Sequence, residues 1–255
     1  MEKNKGLEIP FWQNEWFYIN FSNLGIKIYS NKLPDNNFYS TFYEKLFEKY
    51  KNFEDLPLEW KSDKELTAIQ ISKEIPTNAH IFSFGCGTGY IEKIISEKRE
   101  DIKLVAFDYS KIASKWIIND LEKVTYTENL DQSHKFDVIY ICQVLYALST
   151  QDCINILTKL KKILKDNGKI VIVNSSCTPS ENGNPVNQPN IFYEKIKLFL
   201  KPHYMLLKNL ISKKKFQFWG WERDNKEIKN ILLNANLKIH KTYPFANQSF
   251  IIAGK

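Results

Sequence analysis

An apolar stretch, Ile81-Phe82-Ser83-Phe84, runs into glycines at every second position, Gly85, Gly87 and Gly89, and then into Tyr90-Ile91-Glu92-Lys93-Ile94-Ile95, which reads as a helix. A strand that must bend sharply and let a ligand approach its backbone needs residues without Cβ, and these glycines meet that need. The first amides of the following helix have no partner within it and point back at the turn. The bend is therefore a cradle for a polar or charged ligand at the end of a parallel strand. Strand, glycine turn and helix in this order constrain the chain to an α/β fold with a nucleotide-type pocket.

The spacing is G-x-G-x-G, not the G-x-G-x-x-G of a dinucleotide site. Further on, Leu104-Val105-Ala106-Phe107 ends in Asp108, an acid placed to accept hydrogen bonds from both hydroxyls of a ribose. Phe136 to Tyr140 reads as a fourth strand, and Leu160 to Val173 as a helix, a turn and a fifth strand. On these elements, from Thr77 to Ser176, the chain resembles the class I S-adenosylmethionine (SAM) dependent methyltransferases.

That resemblance implies a doubly wound, mostly parallel seven-stranded α/β sheet with helices on both faces. It also implies a SAM cofactor, released as S-adenosylhomocysteine. The residues it places at the cofactor are Ser83, Gly85, Cys86, Gly87 and Gly89 in the turn, and Asp108 and Tyr109 after the second strand. Glu128 and Asn129, after the short strand Val124 to Thr127, fall at the adenine, and Cys142 and Gln143 where the fourth strand leaves the sheet. The family usually has an acid two positions before the first glycine, close to the methionine ammonium, where this chain has Ser83. A hydroxyl accepts a hydrogen bond but brings no charge, so weaker cofactor binding is expected.

A chain of 255 residues is long enough for one well-buried α/β domain with additions. Within it we distinguish an aromatic-rich helical cap (1–75), the cofactor-binding core (76–177), a substrate-side insertion (178–222) and a last helix with two final strands (223–255). Hydrophobic content of 43% and aromatic content of 14% exclude a disordered chain. No apolar run approaches the ~20 residues that cross a bilayer, and the N-terminus lacks the apolar segment of a signal peptide, so a cytoplasmic location is expected. Cys86, Cys142, Cys153 and Cys177 have neither C-x-x-C spacing nor a histidine cluster beside them, which argues against a metal site or a disulfide framework. The net charge of +7 is almost all lysine and does not by itself select nucleic acid as a partner.

Two aromatic clusters precede the core, Phe11 to Tyr18 and Phe38 to Tyr50. In the second, Tyr39, Tyr43, Phe47 and Tyr50 share one helical face. The resemblance makes Tyr39 and Tyr43 candidates for closing the cofactor pocket, the alternative being a helix packed on the flank of the sheet. Pro57 breaks the connector before a capped helix at Asp63, and Ser110 is a good cap for the helix after Asp108. Thr178 to Pro189 reads as a mobile, turn-rich segment. Pro202 divides the apolar and basic run from Ile191 to Ile211 into two short helices, and the insertion, over the carboxyl ends of the strands, is expected to form the acceptor pocket.

Methyl transfer from SAM is an in-line displacement at an already electrophilic sulfonium, so alignment and a water-poor pocket matter more than a fixed triad. A hydroxyl or protonated amine acceptor still needs a base. His203 is the first candidate, its ordinary pKa of ~6.5 suiting the task, followed by Tyr146 and Glu222. Trp16, Tyr18, Trp219, Trp221 and Arg223, with Tyr146 and His203, are candidates for contact with the acceptor. The tryptophans suit a flat or apolar acceptor, or a methylated ammonium through cation–π attraction, and ordinary core packing is their alternative. A salt bridge at the start of the last helix is the alternative for Glu222 and Arg223.

The leading function is methylation of an O or N atom on a small-molecule acceptor, a bacterial secondary metabolite or surface-polysaccharide precursor, by a monomer or homodimer. A nucleic-acid methyltransferase would use Lys195, Lys197, Lys201, Lys208 and Lys213 to Lys215. Against it, Cys142-Gln143-Val144-Leu145 is not the Asn/Asp-Pro-Pro-aromatic motif of base-amino methylation, and no Pro-Cys nucleophile is present. A non-catalytic scaffold that keeps the fold is the third reading.

Overall fold

The computed structural model describes residues 6–130, 133–175 and 191–255, with side chains described throughout except in 191–198. Its elements in chain order are β1 (Glu8–Gln13), β2 (Glu15–Trp16), β3 (Ile19–Asn20), α1 (Asn36–Lys49), α2 (Leu58–Ser72), β4 (His80–Phe84), α3 (Tyr90–Lys98), β5 (Lys103–Phe107) and α4 (Lys115–Asp120). There follow β6 (Val124–Thr127), β7 (Phe136–Cys142), α5 (Thr150–Ile163), β8 (Leu164–Ser175), α6 (Ile191–Ile211), β9 (Gln217–Arg223), α7 (Asn225–Asn234), β10 (Lys238–Phe245) and β11 (Gln248–Gly254).

Seven strands form one sheet in the order β10-β11-β8-β7-β4-β5-β6. Strands β4 to β8 run parallel, and β11 lies antiparallel to both β8 and β10. This is the mostly parallel, doubly wound α/β sheet expected from the glycine turn. The chain winds outward from β4 to one side and then returns to pair β7 on the other, and such a reversal opens a crevice at the carboxyl ends of the strands.

Side-chain alternation divides the core between the two faces of the sheet. Ile81, Val138, Tyr140, Val171 and Val173 face α1 to α4, whereas Phe82, Phe84, Ile139, Ile141, Ile170 and Ile172 face α5 and α7. Each fully buried side chain of this size contributes about 1.5–3 kcal/mol. The Asp35 side chain caps α1 by accepting from the Phe38 amide at 3.0 Å. From there Phe38, Phe42, Tyr43, Leu46 and Phe47 bury one stripe of the helix.

Several local expectations are corrected. Residues 1–75 are not purely helical: β1 lies antiparallel along β9, from Glu8 opposite Arg223 to Gln13 opposite Gln217. Aromatic residues on both segments favour extended backbone on a half-buried surface, and pairing satisfies both strand edges. Helix α2 starts at Leu58, with Pro57 at its N-cap, because proline is tolerated where helix amides have no partner anyway. After Ser110 the chain makes a single 3-10 turn, Lys111–Ser114, before α4, and the Ser110 side chain caps nothing.

Helix α6 runs unbroken through Pro202. Proline removes one ladder bond, and side chains around it tie the helix down: Lys201 Nζ donates to the Pro10 carbonyl at 2.9 Å, and Asn209 exchanges bonds with the Phe216 backbone at 2.6 and 2.7 Å. The Lys208 ammonium lies 4.2 Å from the centre of the Phe216 ring, so these lysines are engaged with the chain itself. The segment Thr178 to Pro189 and Cys177 lie outside the described residues, as do the side chains of Lys195 and Lys197.

Candidate active site

Gly85, Gly87 and Gly89 all have positive φ, at 80°, 55° and 86°. A Cβ at Gly85 would collide with the Val144 side chain and one at Gly89 with Ile117, so space and backbone conformation both demand glycine there. The amides of Gly85 and Cys86 donate to the Phe107 carbonyl at 2.8 and 3.1 Å. Asp108 then accepts from the Gly87 amide at 2.9 Å and, with its other oxygen, from the Ser110 amide at 2.9 Å. One carboxylate thus locks the turn after β4 to the end of β5. Burial holds its pKa above the usual carboxylate value, and the two amide bonds offset only part of that rise.

The turn opens into a cavity of about 710 Å³, within the range of roughly 300–1,000 Å³ that ligand clefts occupy. Its polar wall carries Ser83, Asp108, Ser110 and Glu92. Its other wall is aromatic. Trp219, 2% exposed, stacks on Phe21 with centroids 5.0 Å apart and meets Trp16 edge-on at 5.3 Å and Tyr39 at 6.1 Å. Phe11 meets Tyr146 edge-on at 5.8 Å.

Burial holds the phenols of Tyr39 and Tyr43 well above their ordinary pKa, with Asp108 adding to the effect, and pushes Tyr146 up to about 12. The Cys142 thiol is pushed up to about 11 by burial, and Cys86 is held well above its ordinary value by burial and by the Asp108 and Glu92 charges. At neutral pH all five are protonated, so the phenols are hydrogen-bond donors and the cysteines are thiols rather than nucleophiles.

Of the cofactor candidates, Tyr39, Tyr43, Ser83, Gly85, Cys86, Gly87, Asp108, Tyr109, Cys142 and Gln143 line this cavity. Gln143 does so from a strained backbone, φ 56°, with its side-chain oxygen accepting from Ser175 Oγ at 2.8 Å. Gly89 sits behind the turn, against Ile117. Glu128 is exposed and pairs with Lys111 at 2.5 Å, and Asn129 is exposed in the same turn. Both lie off the cavity, because the chain after β6 turns outward at this point.

Of the acceptor and catalytic candidates, Trp16, Tyr146, Trp219, Trp221 and Glu222 line the cavity. Three do not, and those expectations are corrected. Tyr18 is 56% exposed. His203 is exposed on α6 beside Phe199 and does not line the cavity; among the described residues of the insertion, those that do lie on β9. Arg223 is 1% exposed and wholly occupied: it donates to Glu8 Oε2 at 2.6 Å, to the Leu145 carbonyl at 2.7 Å and to the Leu148 carbonyl at 2.8 Å. It brackets the turn after β7 against β1 and β9 from behind, which a guanidinium with five donors is suited to do.

The sequence did not signal several residues that line the cavity, among them Gln13, Asp63, Lys64, Asn174, Gln248 and Glu92. Glu92 looks like an ordinary acid in the first turn of a helix, where the dipole favours one. In the fold it is 1% exposed, its Oε1 accepts from Ser83 Oγ at 2.5 Å and from the Tyr140 hydroxyl at 2.6 Å, and its Oε2 has no partner. Ser110 Oγ is also buried without a partner. Two orphaned polar atoms, one beside Ser83 and one beside Asp108, mark the polar wall as built for a ligand. Among the described residues no cluster of His, Cys, Asp and Glu could hold a metal ion, and no helix is long and apolar enough to cross a membrane.

Comparison with known proteins agrees with this geometry. A family model described as "Methyltransferase domain" matches residues 56–242. Isoflavone-7-O-methyltransferase 9 of Medicago sativa is 24% identical over 169 residues, which are 64% of this chain and 42% of that protein. Among solved structures, the methyltransferase CalO1 of calicheamicin biosynthesis, in its SAH-bound form, superposes with a TM-score of 0.55 at 14% identity, covering 86% of this chain and 58% of that one. Human N-acetylserotonin methyltransferase in complex with SAM gives 0.55 at 17% identity, covering 87% and 56%. The neocarzinostatin O-methyltransferase NcsB1, with SAH and 1,4-dihydroxy-2-naphthoic acid, gives 0.56 at 13% identity, covering 86% and 58%. The chain therefore spans about half the length of these relatives.

Proposed function

We propose a function on one premise, that the chain belongs to the methyltransferase-domain family. In this reading it binds SAM at the polar wall and transfers the methyl group to a hydroxyl of a small, flat aromatic acceptor held against the other wall. The observation that carries it is the opening of the glycine turn, with Asp108, into the same cavity as Trp16, Trp219 and Trp221. The relatives solved with SAM, with SAH and with 1,4-dihydroxy-2-naphthoic acid support the same ligand classes. Between the two acceptor classes expected from the sequence, an aromatic wall suits a hydroxylated aromatic metabolite better than a sugar precursor.

The residues fit the cofactor. A buried carboxylate on the glycine turn suits a ribose, and the unpartnered atoms of Ser110 and Glu92 offer further polar contacts. When bound, SAM supplies an electrophilic methyl group on a sulfonium. The chain's own part is positioning and proton handling. Asp108, held by the turn amides, fixes the adenosyl half, and the protonated phenols of Tyr39 and Tyr43 help to close the pocket over it and exclude water. Stacking on the tryptophans orients a flat acceptor, with the Tyr146 hydroxyl as a hydrogen-bond donor. Glu222, the carboxylate on β9 at the cavity, accepts the acceptor's hydroxyl proton in place of the distant His203.

Incubating the protein with methyl-labelled SAM and a panel of hydroxylated aromatics, read by mass spectrometry, tests the proposal. Labelled product from at least one phenolic acceptor is expected. Calorimetry that shows no binding of SAM or S-adenosylhomocysteine at millimolar ligand would overturn it. Of the lysines that a nucleic-acid surface would use, Lys201 and Lys208 are instead engaged with Pro10 and Phe216.

A further inference from the structure

We infer that Glu92, reaching from the first turn of α3 to the side of Ser83, provides the negative charge that holds the α-ammonium of the cofactor's methionine part. This rests on the SAM reading above and assigns a residue to one group of that ligand. Four observations carry it. Glu92 lines the cavity although only 1% of it is exposed. Both hydroxyls that reach it, Ser83 Oγ at 2.5 Å and Tyr140 at 2.6 Å, arrive at the same oxygen, Oε1. The other oxygen, Oε2, is buried with no partner among the described residues. Finally, among the described residues no lysine, arginine or histidine bridges to Glu92.

A carboxylate in such a place is costly unless something cationic arrives. An uncompensated buried charge is among the most destabilising features a fold can carry, whereas one half-satisfied by two hydroxyls and open on a cavity is a site waiting for a donor. The titratable groups whose charges reach it are Tyr140 from β7, Asp108 from β5, Cys86 in the turn and Cys142 at the end of β7, none of them a cation; Lys64 of α2, which also lines the cavity and acts on Cys142, makes no ion pair with Glu92 and lies 3.3 Å from Asp63. The ligand proposed for this cavity carries a sulfonium and an ammonium. Only the ammonium has N–H groups to give to Oε2, and a charge-assisted bond of that kind is about twice as strong as a neutral one. The geometry also accounts for Ser83. A carboxylate on β4 at that position would lie against Glu92, and two like charges at hydrogen-bond distance would not both ionise. A hydroxyl at 83 instead donates to Glu92 and orients it. The charge missing from the strand is thus carried by the helix, and the weaker cofactor binding expected from Ser83 does not follow.

A cycle of two proteins and two ligands tests this: wild type and Glu92→Gln, each titrated calorimetrically with S-adenosylhomocysteine and with its analogue lacking the amino group. Wild type should bind the deamino analogue about 10- to 100-fold more weakly. Glu92→Gln should lose a similar factor for S-adenosylhomocysteine and show little further loss when the amino group is removed. A merely structural role would weaken both ligands equally, and that outcome overturns the inference, as does an unchanged affinity of Glu92→Gln for S-adenosylhomocysteine. Glu92→Asp, which draws the charge back by one methylene, serves if the amide variant does not fold; it should weaken S-adenosylhomocysteine and leave the deamino analogue unchanged, and equal effects on both would again overturn the assignment. Wild type that binds neither ligand removes the SAM reading itself. Wild type that binds both equally removes only the role of the ammonium.

Discussion

The polar wall of the cavity comes mainly from one continuous stretch, Ser83 to Ser110, whereas the aromatic wall is assembled from both ends of the chain, with Phe11 and Trp16 meeting Trp219 and Trp221. The first is held by backbone: amides of the turn on the Phe107 carbonyl and on Asp108. The second rests on the ladder between β1 and β9, and side chains fix that ladder to the sheet, with Arg223 fastening β9 to Glu8 and to the turn after β7. The difference teaches which part of the site tolerates change. A wall fixed by backbone bonds keeps its shape when neighbouring side chains vary. A wall whose two-stranded ladder is fixed to the sheet by ring contacts and one buried guanidinium is more easily re-cut for another acceptor and more easily lost.

The largest effect should come from removing that guanidinium. Arg223→Ala takes the charged donor away from two carbonyls and the cation away from Glu8, and a loss of about 3–5 kcal/mol in unfolding free energy is expected from urea denaturation. If the variant is as stable as wild type, the aromatic wall does not depend on this bracket. Next, Asp108→Ala should weaken S-adenosylhomocysteine by about 10- to 100-fold in calorimetry. Equal affinity would show that the turn binds without the acid, and the contrast between the walls would lose its basis.

Trp221→Ala sharpens the comparison further. It should raise KM for an aromatic acceptor about 3- to 10-fold, the worth of one aromatic contact, while leaving cofactor affinity untouched. A change in cofactor affinity would mean that the two walls are not separable. The smallest effect is reserved for His203→Ala, on the exposed face of α6. Stability within about 0.5 kcal/mol of wild type and an unchanged rate of methyl transfer are expected, and a loss of rate across the pH range would return His203 to the site.

Much of the polar wall was legible because its signals are local. Three glycines followed by a helix start, and an acid at the end of the next strand, encode backbone geometry that few other residues can adopt, so Gly85, Gly87 and Asp108 were identifiable from spacing and the resemblance it supports. Arg223 and His203 were misread for the opposite reason. Whether a charged side chain faces a cavity or braces its outside depends on which strand lies across from it, and the pairing of β1 with β9 joins segments far apart in the chain.

By itself, then, the sequence determined the order of the strands and helices from β4 to β8, the bend that cradles a nucleotide-like ligand, and the apolar alternation that buries both faces of the sheet. Only the tertiary structure decided that a first-turn acid would end up buried against Ser83, that one tryptophan wall would be gathered from opposite termini, and that the sole arginine of β9 would serve as a brace. The reason is range. Backbone conformation is set by near neighbours in sequence, but the partner of a charge or a ring is set by whatever packing brings beside it.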